Sequence, residues 1–380
     1  MPNVGKSTLF KAMTKNKVEA SNFPFCTIDP NIGIVNVPDK RLEKLSEISM
    51  SKKVIPTVIK FVDIAGLVKD AHKGEGLGNK FLSNIREVDA ICHLVRDFKD
   101  ENVTHVSGAV DAKSDMEVIN LELIFSDMSV VAKRLESLKK EIRSGDKNAI
   151  AVNDVLEKVM KILEQGHLAI EANLDVEEKF LIKELSLLTL KPVLYVVNVD
   201  EERIPPPIRR AGLTPFMKGG TKGISSISAP LCEGGQGDSK FQLLVGDSPV
   251  IAISAKIESE LADLSDEETK EYMKELGISQ SGLDKLIVAS YKILNLITFF
   301  TSGEPETRAW TVVEGAKAPQ GAGVIHTDFE EKFIRAEVVA YDDFIAYGGW
   351  NGAKDKGLMR VEGKEYIVKD GDVMFFRHGA

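Results

Sequence analysis

At 380 residues the chain exceeds one ordinary hydrophobic core, so two or three domains are expected. Its composition, 43% hydrophobic and 28% charged, is that of a globular protein. It contains neither an apolar run long enough to span a membrane nor an apolar export signal behind Met1. The 3 cysteines show no paired spacing, which predicts reduced thiols and a cytoplasmic location. The net charge of −9 excludes a protein that coats nucleic acid by charge alone, while a local basic face stays open.

The first predicted element is a helix that follows half of a phosphate-binding loop. The run Asn3-Val4-Gly5-Lys6-Ser7-Thr8 matches the second half of the pattern G-x-x-x-x-G-K-[ST]. The first glycine would fall just before Met1, and the strand that should precede it is absent, so the N-terminal strand of this domain is expected to be missing. In such loops backbone N–H groups hold phosphate oxygens, the lysine meets the β and γ charges, and the hydroxyl binds Mg²⁺. Taken alone, the fragment also fits an ordinary helix start with Ser7 near the N-cap.

Short apolar runs that end in a polar or glycine-rich break predict strands of a mostly parallel, doubly wound α/β sheet. These runs are Val58–Val62, Ala90–Val95, Val193–Val197 and Val250–Ile253. Helical stretches separate them along the chain. Ligands of such sheets bind at the carboxyl ends of the strands, so the chemistry is expected there.

Three motifs lie at those strand ends. Asp63-Ile64-Ala65-Gly66 matches the D-x-x-G element of nucleotide switches, whose aspartate holds Mg²⁺ through water and whose Gly66 N–H contacts the γ-phosphate. Asn198 stands where the base-reading N-K-x-D would begin, and Ser254-Ala255-Lys256 stands where a base-side S-A-K loop would lie. A lone D-x-x-G is also a common turn. Together with the phosphate loop and in this order, however, the motifs predict a P-loop nucleotide hydrolase of the translation-factor type.

The base-reading motif is altered to Asn198-Val199-Asp200-Glu201, which lacks the lysine and the final aspartate. That aspartate would accept two hydrogen bonds from guanine, and adenine offers no such donor pair. The change therefore favours ATP, or relaxed specificity, over GTP. Leu67 occupies the position directly after D-x-x-G, where related enzymes place a water-orienting glutamine. Either hydrolysis is slow, or another residue positions the water.

Between the second and third runs a heptad seam predicts an antiparallel helical hairpin inserted into the α/β domain. Its positions are Leu121, Ile124, Met128, Val131, Leu135, Leu138 and Ile142, followed after the turn by Val152, Val155, Val159 and Ile162. The turn Ser144-Gly145-Asp146-Lys147 gives the seam an intramolecular partner, so a dimer zipper is disfavoured. Arg203–Ser248 is rich in Gly, Pro and Ser and is expected to be an irregular loop. From about Thr298, short β-rich segments predict a separate α+β domain.

The chain resembles the YchF, or Obg-like ATPase, family. The resemblance rests on three N-terminal strings, Pro2–Thr8, Asn22–Asn31 and Phe61–Lys69, and on three later ones, Gly74–Asn79, Arg308–Thr311 and Gly323–Glu330. It covers nearly the whole chain except Arg203–Ser248. It implies a P-loop G domain with an inserted hairpin and a C-terminal TGS domain of β-grasp type. The expected domains are residues 1–115 and 168–297 for the G domain, 116–167 for the hairpin and 298–380 for the TGS domain, with the irregular loop 203–248 inside the second G-domain segment.

The resemblance also implies residue roles. His105 falls on the proposed catalytic histidine, and Val199 falls on the adenine-contacting backbone position. The expected ATP-binding residues are Asn3, Val4, Gly5, Lys6, Ser7, Thr8, Gly66, Asn198, Val199, Glu201, Ser254 and Ala255. The expected Mg²⁺ ligands are Ser7, Thr27 and Asp63.

Family members bind and hydrolyse ATP, some also GTP, and associate with ribosomes. The expected function is therefore a Mg²⁺-dependent ATPase switch with weak or no GTPase activity, which binds the large or small ribosomal subunit or both. RNA contact through the TGS domain or the helical hairpin is expected, and a membrane partner is not. The alternative is a nucleotide-binding or ribosome-binding module without turnover, because the phosphate loop is incomplete.

Overall fold

The computed structural model describes residues 3–15, 31–64, 78–98, 111–204, 245 and 248–379. The chain divides into two units. The first unit comprises Met1–Lys15 and Asp63–Leu286, and the second comprises Asn16–Val62 and Ile287–Ala380. Most of the predicted loop 203–248 lies outside the described residues. Among the helices described, none is long and apolar enough to span a lipid bilayer.

Helices and strands are numbered in chain order. The helices are α1 (Lys6–Lys15), α2 (Arg41–Ser49), α3 (Asn79–Glu87), α4 (Ala112–Arg143), α5 (Lys147–Glu164), α6 (Val176–Leu181), α7 (Ala255–Leu261), α8 (Asp266–Glu275), α9 (Gly282–Ile293), α10 (Ala318–Ile325), α11 (Thr327–Glu331), α12 (Tyr341–Ala346) and α13 (Trp350–Asp355). The strands are β1 (Ile32–Asn36), β2 (Val54–Ile55), β3 (Val58–Val62), β4 (Ile91–Asp97), β5 (Val193–Val199), β6 (Val250–Ile253), β7 (Leu296–Ser302), β8 (Thr307–Val313), β9 (Phe333–Ala340), β10 (Arg360–Glu362) and β11 (Asp372–His378).

The first unit contains a parallel sheet of β4, β5 and β6, in that order. Its central strand β5 is buried along its whole length, and its apolar run Val193–Val197 is typical of a strand covered on both faces. The start of α4 packs on this sheet through Met116, which lies in one apolar cluster with Val95 and Val197. The parallel arrangement predicted for three of the four apolar runs is therefore confirmed.

The fourth run was predicted wrongly. β3 pairs antiparallel with β1, with Ile34 opposite Lys60, and both strands belong to the second unit. Each residue of β3 is half-buried or exposed, whereas a strand inside a parallel sheet is covered on both faces. β1 escaped prediction because it is only 5 residues long and includes a glycine.

The predicted hairpin is present as α4 and α5, which pack antiparallel around a shared apolar core. Val131 and Leu138 on α4 are fully buried, as is Val159 on α5. Leu121 was assigned to the seam wrongly, because its side chain is 43% exposed. Leu121 is so far from the turn that the residue facing it on the other arm of the hairpin would come after Glu164, where α5 has already ended.

A buried carboxylate fastens the hairpin to the rest of the first unit. Asp127 on α4 accepts hydrogen bonds from the backbone N–H of Leu188 at 3.0 Å and of Thr189 at 2.7 Å. Arg86, in the last turn of α3, lies 3.6 Å from the Asp127 carboxylate. Burial raises the pKa of Asp127, although the donors and Arg86 oppose that shift by favouring the charged form. The base of the hairpin is thus held by polar contacts that the apolar periodicity gave no reason to expect.

The second unit contains a six-stranded mixed sheet in the order β10-β9-β11-β7-β8-β2. Adjacent residues of β7 point to opposite faces, as the strand pleat requires. Phe299 packs in a cluster with Ala318 and Ala322 of α10, whereas Phe300 packs in a cluster with Leu45 of α2. A mixed sheet with helices on its faces agrees with the β-grasp type predicted for the C-terminal domain.

Candidate nucleotide site

The turn before α1 is shaped by two residues in the left-handed region. Asn3 has φ of 60° and Gly5 has φ of 91°. A side chain at Gly5 would also place its Cβ 2.3 Å from Nδ2 of Asn198, which no real contact allows. The carbonyl oxygen of Gly5 accepts the first helical bond from the N–H of Leu9 at 3.0 Å. Glycine is therefore required at this position both by the backbone and by the neighbouring side chain.

Asn198 connects this turn to the end of another strand. Its Nδ2 donates to the carbonyl oxygen of Val4 at 3.0 Å, and its Oδ1 accepts from the N–H of Ala255 at 2.9 Å. Asn198 is only 4% exposed, and Val4 and Ala255 are buried as well. Both ends of the carboxamide are thus bonded to buried backbone groups. Through this one side chain the structure connects the phosphate-loop fragment, the base-reading motif and the S-A-K motif.

Lys6 and Asp63 form an ion pair at the start of α1. The ammonium nitrogen of Lys6 lies 2.5 Å from Oδ1 of Asp63, and the two side chains are 37% and 11% exposed. Ser7 and Thr8, the next two residues of α1, are exposed in its first turn. The unpaired N–H groups and dipole of a helix N-terminus attract anions. The arrangement therefore presents a cation, two hydroxyls and a helix N-terminus beside one carboxylate.

The oxygen donors at this point suit Mg²⁺. The hydroxyl of Ser7 and the carboxylate of Asp63 are hard oxygen ligands, the class that Mg²⁺ prefers. Asp63 is held close to the start of α1 by its bond to Lys6, so the Ser7 hydroxyl and the Asp63 carboxylate both lie near the start of this helix. Thr27, the third predicted ligand, lies outside the described residues.

The altered base-reading motif begins at the end of β5 and continues into a short 3₁₀ turn, Glu201–Arg203. Val199 is 5% exposed. The carboxylate of Glu201 lies 2.5 Å from the ammonium of Lys256, the last residue of the S-A-K motif. The bond to Glu201 raises the pKa of Lys256. The two base-side segments are therefore joined by an ion pair at the surface.

Ser254 begins α7 as its N-cap, with its hydroxyl accepting from the N–H of Ile257 at 3.4 Å. Ser254 is buried, and it precedes Ala255, whose N–H is bonded to Asn198. Capping fixes where α7 begins, and so fixes the direction of that N–H.

Glu258 is a supporting residue that sequence reasoning missed. Its two carboxylate oxygens accept from the N–H of Gly282 at 2.7 Å and of Leu283 at 3.2 Å, so it caps α9 from the side of α7. Burial raises the pKa of the Glu258 carboxyl, and the two N–H donors oppose that shift. No spacing in the sequence distinguishes Glu258 from the exposed glutamates around it.

Four residues of the predicted site belong to segments that the structure does not describe. Gly66, Leu67 and His105 lie outside the described residues, as Thr27 does. Their roles remain predictions. The described part of the site comprises the turn Asn3–Gly5, the start of α1, Asp63, the end of β5 and the start of α7.

Two family models match this chain. The model MMR_HSR1, described as a 50S ribosome-binding GTPase, matches residues 1–133. The model YchF-GTPase_C, described as a protein of unknown function (DUF933), matches residues 296–379. The first match includes the phosphate-loop fragment and Asp63, and the second spans β7 to β11.

Relatives match over almost the full length. A Bacillus subtilis (strain 168) protein named Ribosome-binding ATPase YchF is 51% identical, over 99% of this chain and 97% of its own length. The Escherichia coli O157:H7 protein of the same name is 49% identical, over 99% and 96%. A solved structure of the Schizosaccharomyces pombe YchF GTPase is 36% identical with a TM-score of 0.83, covering 99% of this chain and 96% of that one. This chain therefore belongs to the YchF family.

Proposed function

We propose that this chain is a Mg²⁺-dependent ATPase that associates with ribosomes. The observation that carries the proposal is the cluster of Lys6, Asp63 and Asn198 around the turn before α1, in a chain whose full-length relatives are named ribosome-binding ATPases. Association with ribosomes would place the protein in the cytoplasm. Within this proposal the TGS domain or the helical hairpin contacts ribosomal RNA, and the domain boundaries are those predicted from the sequence.

Phosphate binding falls to the start of α1. Lys6 supplies a positive charge to the β and γ oxygens, and the backbone N–H groups of the turn and of the first helical turn donate to phosphate. The side chains of Ser7 and Asp63, with Thr27, would hold Mg²⁺. When bound, Mg²⁺ neutralises charge that develops on the phosphate oxygens. A bound phosphate would compete with Asp63 for the ammonium of Lys6, because both are anions that attract the same cation.

ATP is the proposed nucleotide because the base side lacks an acceptor for guanine. The chain has Val199 where a lysine would stand, and Glu201 is already paired with Lys256. A carboxylate held by a lysine is a poor partner for the N1 and N2 donors of guanine. Adenine needs no carboxylate, so the backbone around Val199 is the proposed contact. Discrimination of this kind arises because buried polar groups left without partners are costly.

Water activation is assigned to His105, with Gly66 donating its N–H to the γ-phosphate. Leu67 has no hydrogen-bonding group, so a polar residue must reach the attacking water from another segment. A neutral imidazole can accept a hydrogen bond from that water.

The test is direct. The full chain is incubated with ATP or GTP and Mg²⁺, and released phosphate is measured with and without purified ribosomes, alongside co-sedimentation with them. If the chain is a ribosome-associated ATPase, we expect ATP turnover, little or no GTP turnover, and protein in the ribosomal pellet. If the chain is instead a binding module without turnover, we expect protein in the ribosomal pellet but no phosphate release. The relatives are named ATPases, which favours the first outcome.

A further inference from the structure

The free end of the α4–α5 hairpin is basic in an acidic chain. Residues 133–147 carry six basic and three acidic side chains, whereas the whole chain has a net charge of −9. The basic residues are Lys133, Arg134, Lys139, Lys140, Arg143 and Lys147. The acidic residues are Glu136, Glu141 and Asp146. The excess of positive charge is therefore concentrated in one short segment around the turn.

Two of the three acidic side chains are engaged locally. Glu136 is paired with Lys139. Asp146 caps α5 by accepting from the N–H groups of Asn148 at 2.8 Å and Ala149 at 3.2 Å. Within the described ranges, five cations of this segment have no ion-pair partner: Arg134, which is half-buried and donates to Ser137, and four that are exposed. These four, Lys133, Lys140, Arg143 and Lys147, are called the basic tip.

The basic tip faces outward. With 3.6 residues per turn, Lys133 and Lys140 lie on the side of α4 opposite the buried seam residues Val131 and Leu138. Arg143 ends α4 and Lys147 begins α5, so these two flank the turn. A helical rise of about 1.5 Å per residue puts Arg143 about 24 Å along α4 from the anchor at Asp127. The tip is therefore displayed well away from the contacts that hold the base of the hairpin.

Helix stability does not account for this pattern. Lys140 and Arg143 lie in the last turn of α4, where cations interact favourably with the helix dipole. Lys147, however, is the first residue of α5, where a cation is unfavourable for the same reason. Lys133 lies 10 residues before the end of α4, beyond the range of that effect. Two of the four charges thus have no structural role in their own helices.

We propose that the basic tip binds the phosphate backbone of ribosomal RNA, which rests on the proposed association with ribosomes. Phosphates are spaced regularly along RNA, and unpaired lysine and arginine side chains bind them with release of counterions. Large apolar side chains, the usual anchors of protein–protein contacts, are rare at the tip, where Ile150 is only 40% exposed. The rest of the chain is acidic on balance, which favours this end of the hairpin as the RNA contact.

The experiment compares two charge-neutralising double variants of the full chain. Lys140→Gln/Arg143→Gln removes half of the tip. Lys161→Gln/Lys179→Gln removes the same charge from exposed residues near the base of the hairpin. A third variant, Lys140→Arg/Arg143→Lys, keeps the tip charge. Binding to purified ribosomes and to deproteinised ribosomal RNA is measured over a series of salt concentrations, with circular dichroism and ATP turnover as checks on folding.

Each phosphate contact contributes about 0.7 to 0.9 to the slope of log affinity against log salt. The tip variant should therefore bind both probes on the order of tenfold more weakly at about 100 mM salt, with a slope smaller by about 1.5. The base variant and the charge-keeping variant should bind as the wild type does.

Equal affinity and slope for the tip variant overturn the proposal, and so does an equal loss in the base variant. A loss on ribosomes without a loss on deproteinised RNA assigns the tip to a ribosomal protein and also overturns it. A wild-type chain that binds neither probe overturns both the tip and the proposed ribosome association. ATP turnover is measured separately. An absence of turnover would contradict the proposed ATPase activity, but it would not affect the conclusion that the basic tip binds RNA.

Discussion

The side-chain amide of Asn198 donates to the carbonyl oxygen of Val4 across 3.0 Å. This bond joins the end of β5 to the turn that precedes α1, and its companion bond to Ala255 joins both to the start of α7. A residue expected to read the base is thus also the buried connection between the phosphate side and the base side of the site. Loss of the Asn198 side chain should therefore affect both the phosphate side and the base side.

Replacing Asn198 with alanine tests that connection. Asn198→Ala leaves the carbonyl of Val4 and the N–H of Ala255 buried without their partner. Each such group costs about 1 to 3 kcal/mol, so the variant should unfold at a lower urea concentration and bind ATP more weakly. Asn148→Ala, at an exposed position on α5, is the control and should leave both values unchanged. Wild-type stability and ATP affinity in Asn198→Ala would show that the two bonds do not hold the site.

Val199 and Glu201 are expected to control the choice between ATP and GTP. Val199→Lys/Glu201→Asp restores the residues that favour guanine, so the ratio of GTP to ATP affinity should rise on the order of tenfold or more. Competition titration with the two nucleotides measures the ratio. Because Val199 is buried, Glu201→Asp alone provides a variant that leaves the strand end intact and should give a smaller rise. An unchanged ratio in a folded double variant would remove these positions from base selection.

The pH dependence of stability should show the buried carboxyl of Glu258. Its folded-state pKa is raised by burial, so the folded state binds a proton more readily than the unfolded state does. The contribution of Glu258 to the free energy of unfolding should therefore grow as pH falls through the folded pKa towards the ordinary value near 4.5. Glu258→Gln cannot titrate. The difference in free energy of unfolding, wild type minus Glu258→Gln, should rise on acidification in urea titrations at successive pH values.

The exposed Glu267→Gln variant is the control for Glu258, and its difference from the wild type should not rise in the same way. A difference for Glu258→Gln that stays constant or shrinks as pH falls would contradict the assigned direction.

The motif order in the sequence anticipated which segments meet, because parallel strands deliver their carboxyl ends to one edge. Asn198 and Ala255 were found this way, and the ion pair of Lys6 with Asp63 brings together two residues of separate motifs. Glu258 and Asp127 could not be found, because a buried carboxylate that caps distant backbone groups leaves no periodic signal. Leu121 fitted the heptad, but the seam stops where α5 ends. β3 was placed in the wrong sheet because an apolar run does not specify its partner.

His105 is expected to act on the attacking water. His105→Ala should lower single-turnover hydrolysis by roughly 100-fold while leaving ATP affinity nearly unchanged, since a general base contributes mainly in the transition state. His167→Ala, at an exposed position paired with Glu171, serves as the control. Normal turnover in a well-folded His105→Ala variant would exclude His105 from the reaction. Parallel losses of stability and ATP affinity would instead indicate a packing role.

Lys6→Ala tests the claim that α1 begins at the phosphates of ATP. The variant is compared with Lys15→Ala, which removes a lysine from the other end of the same helix, where it pairs with Asp263. Lys6→Ala should weaken ATP binding and lower Mg²⁺-dependent phosphate release by about 100-fold or more, because a charge aimed at the transferring phosphate is lost. Lys15→Ala should hydrolyse ATP at the wild-type rate. Wild-type turnover in folded Lys6→Ala would contradict the claim.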